Sequence, residues 1–273
     1  MDTNIQANLI ETLTYPHVPG FEESVRNFSD IPSSDLKSLF EALMEDPNAD
    51  LALGIAHAIG ILEIKDAAGI LVSLVDEPGK WFSHSERLEI KLAAVESLGI
   101  VKSERGVNVL LDTLEKSHDE QLSAEVIKSL GMIGSRKIVP RLLEAMNEHP
   151  PLALSAAGAL AQIGGDQAFQ GLLAGLKHED EMIKSASVWA LGELGDSRAV
   201  GALIELGSNA DPFLRRDIAW SLGRIGGLAA RLALGAVCQK DPDFGVRHEA
   251  AKAIKAGAVL GLGKSGKNRR KSD

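Results

Sequence analysis

The stretch "SVWALGELGDSRAVGAL" (187–203) indicates how the whole chain is organised. Thirty-one residues after Trp189, the segment "DIAWSLGRIGG" (217–227) repeats the first half of this stretch, with Trp220 in place of Trp189. Self-similarity at a period of about 30 residues is typical of proteins built from stacked repeats.

The same period extends along most of the chain. Positions equivalent to Leu191, here called the anchors, are separated by 39, 32, 30, 31, 31 and 32 residues. The anchors are Ile59, Leu98, Leu130, Leu160, Leu191, Leu222 and Ile254. Twelve residues after each of the first six anchors the residue is again leucine, which composition alone does not explain. The pattern therefore predicts seven repeats.

Each repeat is predicted to fold as two helices. In the fifth repeat, apolar residues recur at helical spacing over 166–177 and again over 181–194. Asp-Pro pairs at 211–212 and 241–242 predict the starts of two later second helices. Aspartate caps free backbone N–H groups, and proline at the first helical position loses no hydrogen bond. Glycines four residues after an anchor predict left-handed turns that end the second helices; they are Gly134, Gly164, Gly195 and Gly226.

The repeats resemble the HEAT-like repeats of the phycobilisome-lyase type. The resemblance lies in "IKSASVWALGELGDSRAVGALIEL" (183–206), "LRRDIAWSLGRIGG" (214–227) and "VRHEAAKAI" (246–254). It implies an all-α fold, a right-handed α-solenoid of about seven two-helix HEAT-like repeats, with the second helices lining the concave face. We expect residues 34–262 to form the solenoid, 1–33 an N-terminal cap segment, and 263–273 a basic, disordered tail.

The composition limits the possible cellular compartment and the possible classes of binding partner. The single cysteine, Cys238, permits no internal disulfide or cysteine-rich metal site and favours a reducing, cytoplasmic location. No apolar run is long enough to cross a membrane, and the first residues do not form a signal-peptide pattern. Of 29 basic and 38 acidic residues, 24 and 37 precede Lys264, so this part of the chain has a net charge of −13. That charge disfavours nucleic-acid binding.

The two tryptophans occupy one outward-facing position of the second helices. With the anchor in the core, the position two residues before it points outward, as do those at −6, −5 and +2. Trp189 and Trp220 both stand at −2. Either each covers small residues of the adjacent helix, or together they form an aromatic wall for a partner protein or a flat ligand. The same face carries charged residues of both signs, namely Glu193, Arg216, Asp217, Arg224 and His248.

In the N-terminal half, the outward positions are apolar and predict an exposed trough. Its residues are Leu53, Ile61, Leu92, Ile100, Met132 and Leu154. Such a trough is usually covered, here by residues 1–33, by a second copy of the chain or by another protein. The longer second repeat adds the loop "DEPGKWFSHS" (76–85). Its Trp81 and Phe82 either contact a partner or pack against the neighbouring repeat.

Three motifs suggest metal or nucleotide chemistry, but each lacks the spacing or the residues that the chemistry requires. Four of the seven histidines fall in successive turns, about 10 Å apart, too far to share one metal ion. The HEAT-repeat hydroxylase, a member of the same repeat class, builds a di-iron site from His-Glu pairs in several repeats. Only His248-Glu249 stands at that register here. In "GAVLGLGKS" (257–265), Ala258 replaces a glycine that a P-loop requires. We therefore predict no metal, no cofactor and no catalytic residue.

Two hypotheses of function remain. The first is a non-catalytic scaffold or adaptor that grips a partner protein on the second-helix face. The alternative, implied by the resemblance, is a subunit of a lyase that attaches or detaches a bilin, an open-chain tetrapyrrole, on a light-harvesting protein. The tyrosine-rich segment associated with such lyases is missing, since Tyr15 is the one tyrosine of the chain.

Overall fold

A computed structural model describes residues 3–78 and 82–261. The chain divides into two compact units, Met1–Ile138 (unit 1) and Val139–Asp273 (unit 2). Within the described ranges the regular structure is helical and contains no β-strand.

Seven helix pairs follow one another along the chain. The first helices are α3 (Ser33–Glu45), α5 (Ala68–Asp76), α7 (Val107–Lys116), α9 (Val139–Glu148), α11 (Gly165–Gly175), α13 (Val200–Gly207) and α15 (Gly227–Lys240). The second helices are α4 (Ala49–Ile61), α6 (His84–Ile100), α8 (Glu120–Ile133), α10 (Ala153–Ile163), α12 (Glu181–Leu194), α14 (Pro212–Ile225) and α16 (Phe244–Gly261). The predicted all-α repeat fold is therefore confirmed. Three pairs belong to unit 1 and four to unit 2, each a stack of the α-solenoid type.

The two periodic columns of the sequence form the core. The anchors Leu98, Leu130, Leu160 and Leu191 are fully buried, and so is the leucine twelve residues after each of them. Because one column lies on the second helices and the other on the first helices, each pair closes over its own apolar faces and those of its neighbours within the same unit.

Adjacent second helices approach closely through small residues. A Cβ added at Gly192 of α12 would lie 2.9 Å from Cα of Ser221 on α14. A Cβ at Gly60 of α4 would lie 2.5 Å from Oγ of Ser97 on α6. In each contact the glycine directly follows an anchor, and the serine directly precedes the anchor of the next repeat. Equivalent positions of neighbouring second helices therefore lie side by side.

The serines at these contacts also form hydrogen bonds between repeats. Oγ of Ser97 donates to the carbonyl of Ala56 at 2.8 Å, and Oγ of Ser221 donates to the carbonyl of Val188 at 2.8 Å. Both serines are buried. Ser129 stands at the same position of α8, but its buried Oγ has no hydrogen-bond partner among the described residues. The serine hydrogen bond therefore strengthens two of these contacts. The contact at Ser129 depends on close packing alone.

A half-buried ion pair joins the last two repeats. Nε and Nη2 of Arg215 on α14 donate to the two carboxylate oxygens of Asp241 at 2.8 and 3.0 Å. The prediction that a second helix begins at Asp241-Pro242 is therefore wrong. Helix α16 begins at Phe244, and Asp243 caps it by accepting from the backbone N–H of Val246. Asp241 instead accepts hydrogen bonds from Arg215, whereas Asp211 caps α14 as predicted.

The residue that ends each second helix varies along the chain. Gly134 and Gly195 adopt the predicted left-handed conformation, whereas Gly164 and Gly226 have positive φ with extended ψ. The equivalent residues of the first two repeats are Glu63 and Lys102, with φ of 51° and 52°. A non-glycine residue in this region is strained by about 1–2 kcal/mol. Both positions therefore carry a side chain at a backbone cost that glycine would avoid.

Two further helices precede the repeats. Helix α1 (Thr3–Thr14) lies within the stretch predicted as the N-terminal cap segment, and α2 (Phe21–Arg26) follows a turn. Helix α1 packs against α4 so closely that a Cβ at Gly54 would overlap the carbonyl of Leu13. The boundaries of the N-terminal cap segment remain predictions, and the basic tail lies outside the described residues.

The glycine contact between second helices is testable by adding one methyl group. We expect Gly192→Ala to lower the free energy of unfolding by about 1–3 kcal/mol, because the new Cβ meets backbone atoms of α14 that cannot move aside. Gly235→Ala, in the middle of α15, is the matched control, because a Cβ added there would meet no neighbouring atom within 4 Å. This substitution should raise the free energy of unfolding by about 0.5–1 kcal/mol. Urea unfolding followed by circular dichroism measures both, and equal effects would contradict the close-contact interpretation.

The Arg215–Asp241 pair predicts a pH-dependent stability. Hydrogen bonds from Arg215 hold the pKa of the Asp241 carboxyl below its ordinary value of 3.8. The carboxylate therefore stabilises the fold above that value, and the contribution is lost as the pH falls through the lowered pKa. Asp241→Asn should lower the free energy of unfolding by about 1–3 kcal/mol at pH 7. The difference from wild type should shrink below pH 3.8. Asp166→Asn, which removes an exposed partner of Arg198, should change little at any pH.

Candidate protein-binding faces of the second helices

In unit 2, Trp189 packs onto the neighbouring second helix. Its ring lies over Gly158 of α10, where an added Cβ would be 3.3 Å from Cζ3 of the indole. Gly158 stands two residues before its own anchor, as Trp189 does. The ring is half-buried. This geometry favours the interpretation in which the tryptophan covers small residues of the adjacent helix.

Charged residues near Trp220 form contacts between α12 and α14. The guanidinium of Arg224 lies 5.8 Å from the centre of the Trp220 ring, and its Nη2 lies 3.1 Å from Oε2 of Glu193. Asp217 accepts a hydrogen bond from Oγ of Ser185 at 2.7 Å. Among the charged residues predicted for this face, Glu193, Arg224 and Asp217 are therefore engaged with neighbouring repeats.

The most exposed apolar residues of this face stand at the start of each second helix. They are Leu154, Met182, Phe213 and Phe244, exposed by 60%, 56%, 74% and 73%, here called the apolar row. The first three are the second residues of α10, α12 and α14, and Phe244 is the first residue of α16. These first turns are the corresponding ends of neighbouring second helices of unit 2.

Only Leu154 of the row is predicted from the sequence, where it belongs to the N-terminal trough. The other three stand nine or ten residues before their anchors, beyond the positions that the helical wheel selects. Alignment on the capping aspartates Asp180, Asp211 and Asp243 reveals them, because each capping residue is followed within two residues by a large apolar side chain. The corresponding second residues of unit 1 are polar, namely Asp50, Ser85 and Gln121.

Cationic side chains lie against the phenylalanines. The guanidinium of Arg216 is 5.8 Å from the centre of the Phe213 ring, and that of Arg247 is 5.8 Å from Phe244. The ring of His248 stacks on Phe244 with a centroid distance of 6.1 Å. Within the described part of the chain, no carboxylate lies within 4.0 Å of Arg216. Arg216 and His248 are thus exposed hydrogen-bond donors that lie beside the phenylalanines of the apolar row.

In unit 1, the predicted trough is only partly open. Leu53 is buried, at 5% exposure, because the N-terminal segment packs on α4. Phe21 of that segment contacts His57 edge-on, with ring centres 6.3 Å apart. The other trough residues of this unit, Ile61, Leu92, Ile100 and Met132, are half-buried. The chain's own N-terminal segment therefore covers the first part of the trough.

Two cavities lie over the remaining part. One of about 880 Å³ lies between residues 16–26 and the C-terminal ends of α4 and α6, and one of about 300 Å³ lies over Leu53 and Leu92. His57 and Glu96 line both cavities, which are therefore adjacent and are here together called the groove. Burial lowers the pKa of His57 below its ordinary value of 6.5, although Glu96 and Glu22 act to raise it. The imidazole is therefore neutral at pH 7.

A third cavity, of about 1090 Å³, lies at the turns between first and second helices of unit 1. Lys91 lines it, and burial lowers the pKa of its ammonium group although Asp76 acts to raise it. Side chains of both signs line the walls, including Arg87 and Asp112. Phe82 is buried nearby at 9% exposure, in agreement with packing against the fold, and Trp81 lies outside the described residues.

Metal-ligating groups are not clustered in the described ranges. No three histidine, cysteine, aspartate or glutamate side chains there lie close enough to hold a metal ion. Cys238 is half-buried on α15. No described helix combines the length and hydropathy needed to cross a membrane.

Comparison with protein families identifies the repeat class. A family model of HEAT repeats matches residues 107–176 and 169–255, together more than half of the chain. The chain belongs to the HEAT-repeat family. A search of curated proteins found no match.

Several solved structures are similar to this chain. Human deoxyhypusine hydroxylase in complex with glycerol is 20% identical, with a TM-score of 0.41 over 94% of this chain and 96% of that one. The CpcE–CpcF complex of phycocyanin lyase from Nostoc sp. PCC7120 is 17% identical, with a TM-score of 0.49 over 84% and 95%. An engineered protein is 18% identical, with a TM-score of 0.48 over 95% and 85%. At these identities the likeness does not extend to function.

The two kinds of aromatic residue should respond differently to truncation. We expect Trp189→Ala to lower the free energy of unfolding by about 2–3 kcal/mol, since it uncovers Gly158 and the adjacent helix. Phe213→Ala removes a side chain that is 74% exposed and should change it by less than about 0.5 kcal/mol. Thermal and urea unfolding of both variants measures the difference. A large loss for Phe213→Ala would place that ring in the packing of the fold rather than on a free surface.

Proposed function

We propose that this protein is a non-catalytic scaffold or adaptor that binds a partner protein on the second-helix face of unit 2. The observation that supports the proposal is the apolar row, four large side chains exposed in the first turns of four successive second helices. Core packing does not account for them, since the core is already closed by the two leucine columns. The proposal includes the predicted cytoplasmic location, which the single cysteine favours.

The row has the chemical character of a protein interface. Fully burying a phenylalanine or methionine side chain contributes about 1.5–3 kcal/mol, and aromatic residues and arginine are enriched among residues that dominate binding. The half-buried Trp189 and Trp220 would form the inner wall behind Met182 and Phe213. Arg216 would supply a charged hydrogen-bond donor at the rim, where its ring contact with Phe213 already orients it.

The bilin-lyase hypothesis remains the alternative. The indoles with Arg216 and Arg224 nearby are the residues that would hold a flat pigment and its propionate groups. Visible absorbance of the protein after incubation with a bilin tests this directly. A stable red shift or covalent retention of the pigment would favour the lyase subunit over the adaptor.

The proposed function is tested by capture from native lysate with mass spectrometry. We expect Phe213→Ala/Phe244→Ala to lose a partner that the wild-type protein retains, because both large contacts of the last two repeats are removed. The matched control is Leu228→Ala/Leu232→Ala on α15, which removes two leucines that are 76% and 67% exposed on a first helix of the same unit.

The two double variants remove similar apolar areas, so they separate a specific face from general hydrophobicity. A partner lost by both would indicate non-specific adhesion. A partner retained by Phe213→Ala/Phe244→Ala would contradict the proposed site. Circular dichroism of each variant confirms that the fold is intact before binding is compared.

A further inference from the structure

The groove of unit 1 combines an apolar floor with an acidic rim. Ile61, Leu92 and Ile100 contribute apolar surface to its two cavities. Six carboxylates also line these cavities, namely Glu22, Glu23, Glu63, Glu89, Glu96 and Glu125. Arg26 is the one lysine or arginine among the described lining residues.

Four of these carboxylates have no ion-pair partner within the described ranges. Glu22 lies 3.5 Å from Arg26, and Glu125 lies 3.0 Å from Lys128. Among the residues that the structure describes, no cation lies within 4.0 Å of the carboxylates of Glu23, Glu63, Glu89 or Glu96. Since the imidazole of His57 is neutral at pH 7, it does not offset their charge. The groove is thus a strongly anionic apolar surface.

Backbone geometry holds one of the carboxylates at the rim. Glu63 has a φ of 51° where a glycine ends later second helices, and the N–H of Ile64 bonds back to the carbonyl of Ile59. Lys102 occupies the equivalent place in the next repeat with a φ of 52°, but it does not line the groove. The two residues therefore share the same backbone strain and differ in their relation to the groove.

We propose that this groove binds a lysine- and arginine-rich segment of a partner protein, whose large apolar side chains contact Ile61, Leu92 and Ile100. Charge complementarity identifies the occupant: unpaired carboxylates beside apolar surface fit cations interspersed with apolar residues and disfavour an acidic or purely apolar segment. The inference rests on the proposed function as a protein-binding scaffold, but it concerns a different unit and the chemistry of a different contact.

Purified full-length protein and three labelled synthetic peptides test the proposal. The first peptide alternates pairs of leucine and lysine; in the second, glutamate replaces lysine; in the third, alanine replaces leucine. Fluorescence anisotropy should show binding of the first, at least about tenfold weaker binding of the third, and no binding of the second. Equal binding of the first and third peptides would overturn the proposal, because it would show attraction to the acidic chain as a whole.

Two double variants with the same change in net charge locate the site. We expect Glu89→Gln/Glu96→Gln to weaken binding of the leucine–lysine peptide by about tenfold. Glu41→Gln/Glu45→Gln on α3, outside the groove, should leave it within about twofold. Equal weakening by both variants would overturn the assignment to the groove. Phe213→Ala/Phe244→Ala should bind the peptide as wild type does, so failure of one proposal is distinguishable from failure of the other.

Glu63 and Lys102 have the same backbone conformation, so substituting each by glycine separates an effect on stability from an effect on peptide binding. Glu63→Gly and Lys102→Gly should each leave the Tm unchanged or raise it by about 2 °C, because both relieve a positive φ. Only Glu63→Gly should weaken peptide binding, by about threefold. Weakening by Lys102→Gly as well would contradict a role for the Glu63 carboxylate.

The chain's own basic end is the rival occupant. A full-length variant with glutamine at Lys264, Lys267, Arg269, Arg270 and Lys271 removes its cations. Unchanged peptide affinity supports a partner segment. Peptide affinity that rises by about fivefold or more would mean that residues 264–273 compete for the groove, which would overturn the commitment to a partner protein.

Discussion

The close approach of neighbouring second helices is the constraint on which the rest of each unit depends. A glycine after one anchor leaves room for the backbone of the serine before the next, and no side chain larger than hydrogen fits there without a shift. Because close-packed interiors do not deform continuously, this contact sets both the spacing and the register of the helices. The contact depends mainly on complementary shape. The buried serine hydroxyls add a directional hydrogen bond to the preceding second helix.

That register explains why surface residues far apart in sequence become neighbours. Trp189 lies over Gly158 because both stand two residues before their anchors on adjacent helices. Met182, Phe213 and Phe244 follow the same register, since they stand nine or ten residues before their anchors in the first turns of adjacent second helices. In unit 1 the first turns of the second helices carry polar residues, and carboxylates further along these helices, such as Glu89 and Glu96, lie beside apolar residues. One architecture thus presents an aromatic, arginine-bearing surface in one unit and an anionic groove in the other.

The sequence predicts the parts of this fold that follow from periodicity. The anchors, the leucines twelve residues later and the helix pairs are all present, because burial of a repeated apolar pattern leaves one solution. Local signals were less reliable where a long-range partner competes. Asp241 precedes a proline and has the form of a cap, yet it binds Arg215, and the helix starts two residues beyond the proline. Leu53 has the register of a surface residue, but a segment outside the repeat pattern covers it. Phe213 and Phe244 were missed because alignment on the anchor does not reach the first turn.

The small-residue contacts have a consequence for how such a surface can be changed. Gly192 now meets Ser221, and Gly223 meets Ala253, so each glycine accepts either serine or alanine on the next helix. Excision of one whole repeat between them would bring Gly192 against Ala253, a pairing the protein already uses, and would create no new kind of interface. The apolar row would become shorter by one side chain while its spacing stayed the same. The number of apolar side chains on this surface is therefore set by the number of repeats. The surface can be lengthened or shortened by whole repeats without redesign of the core.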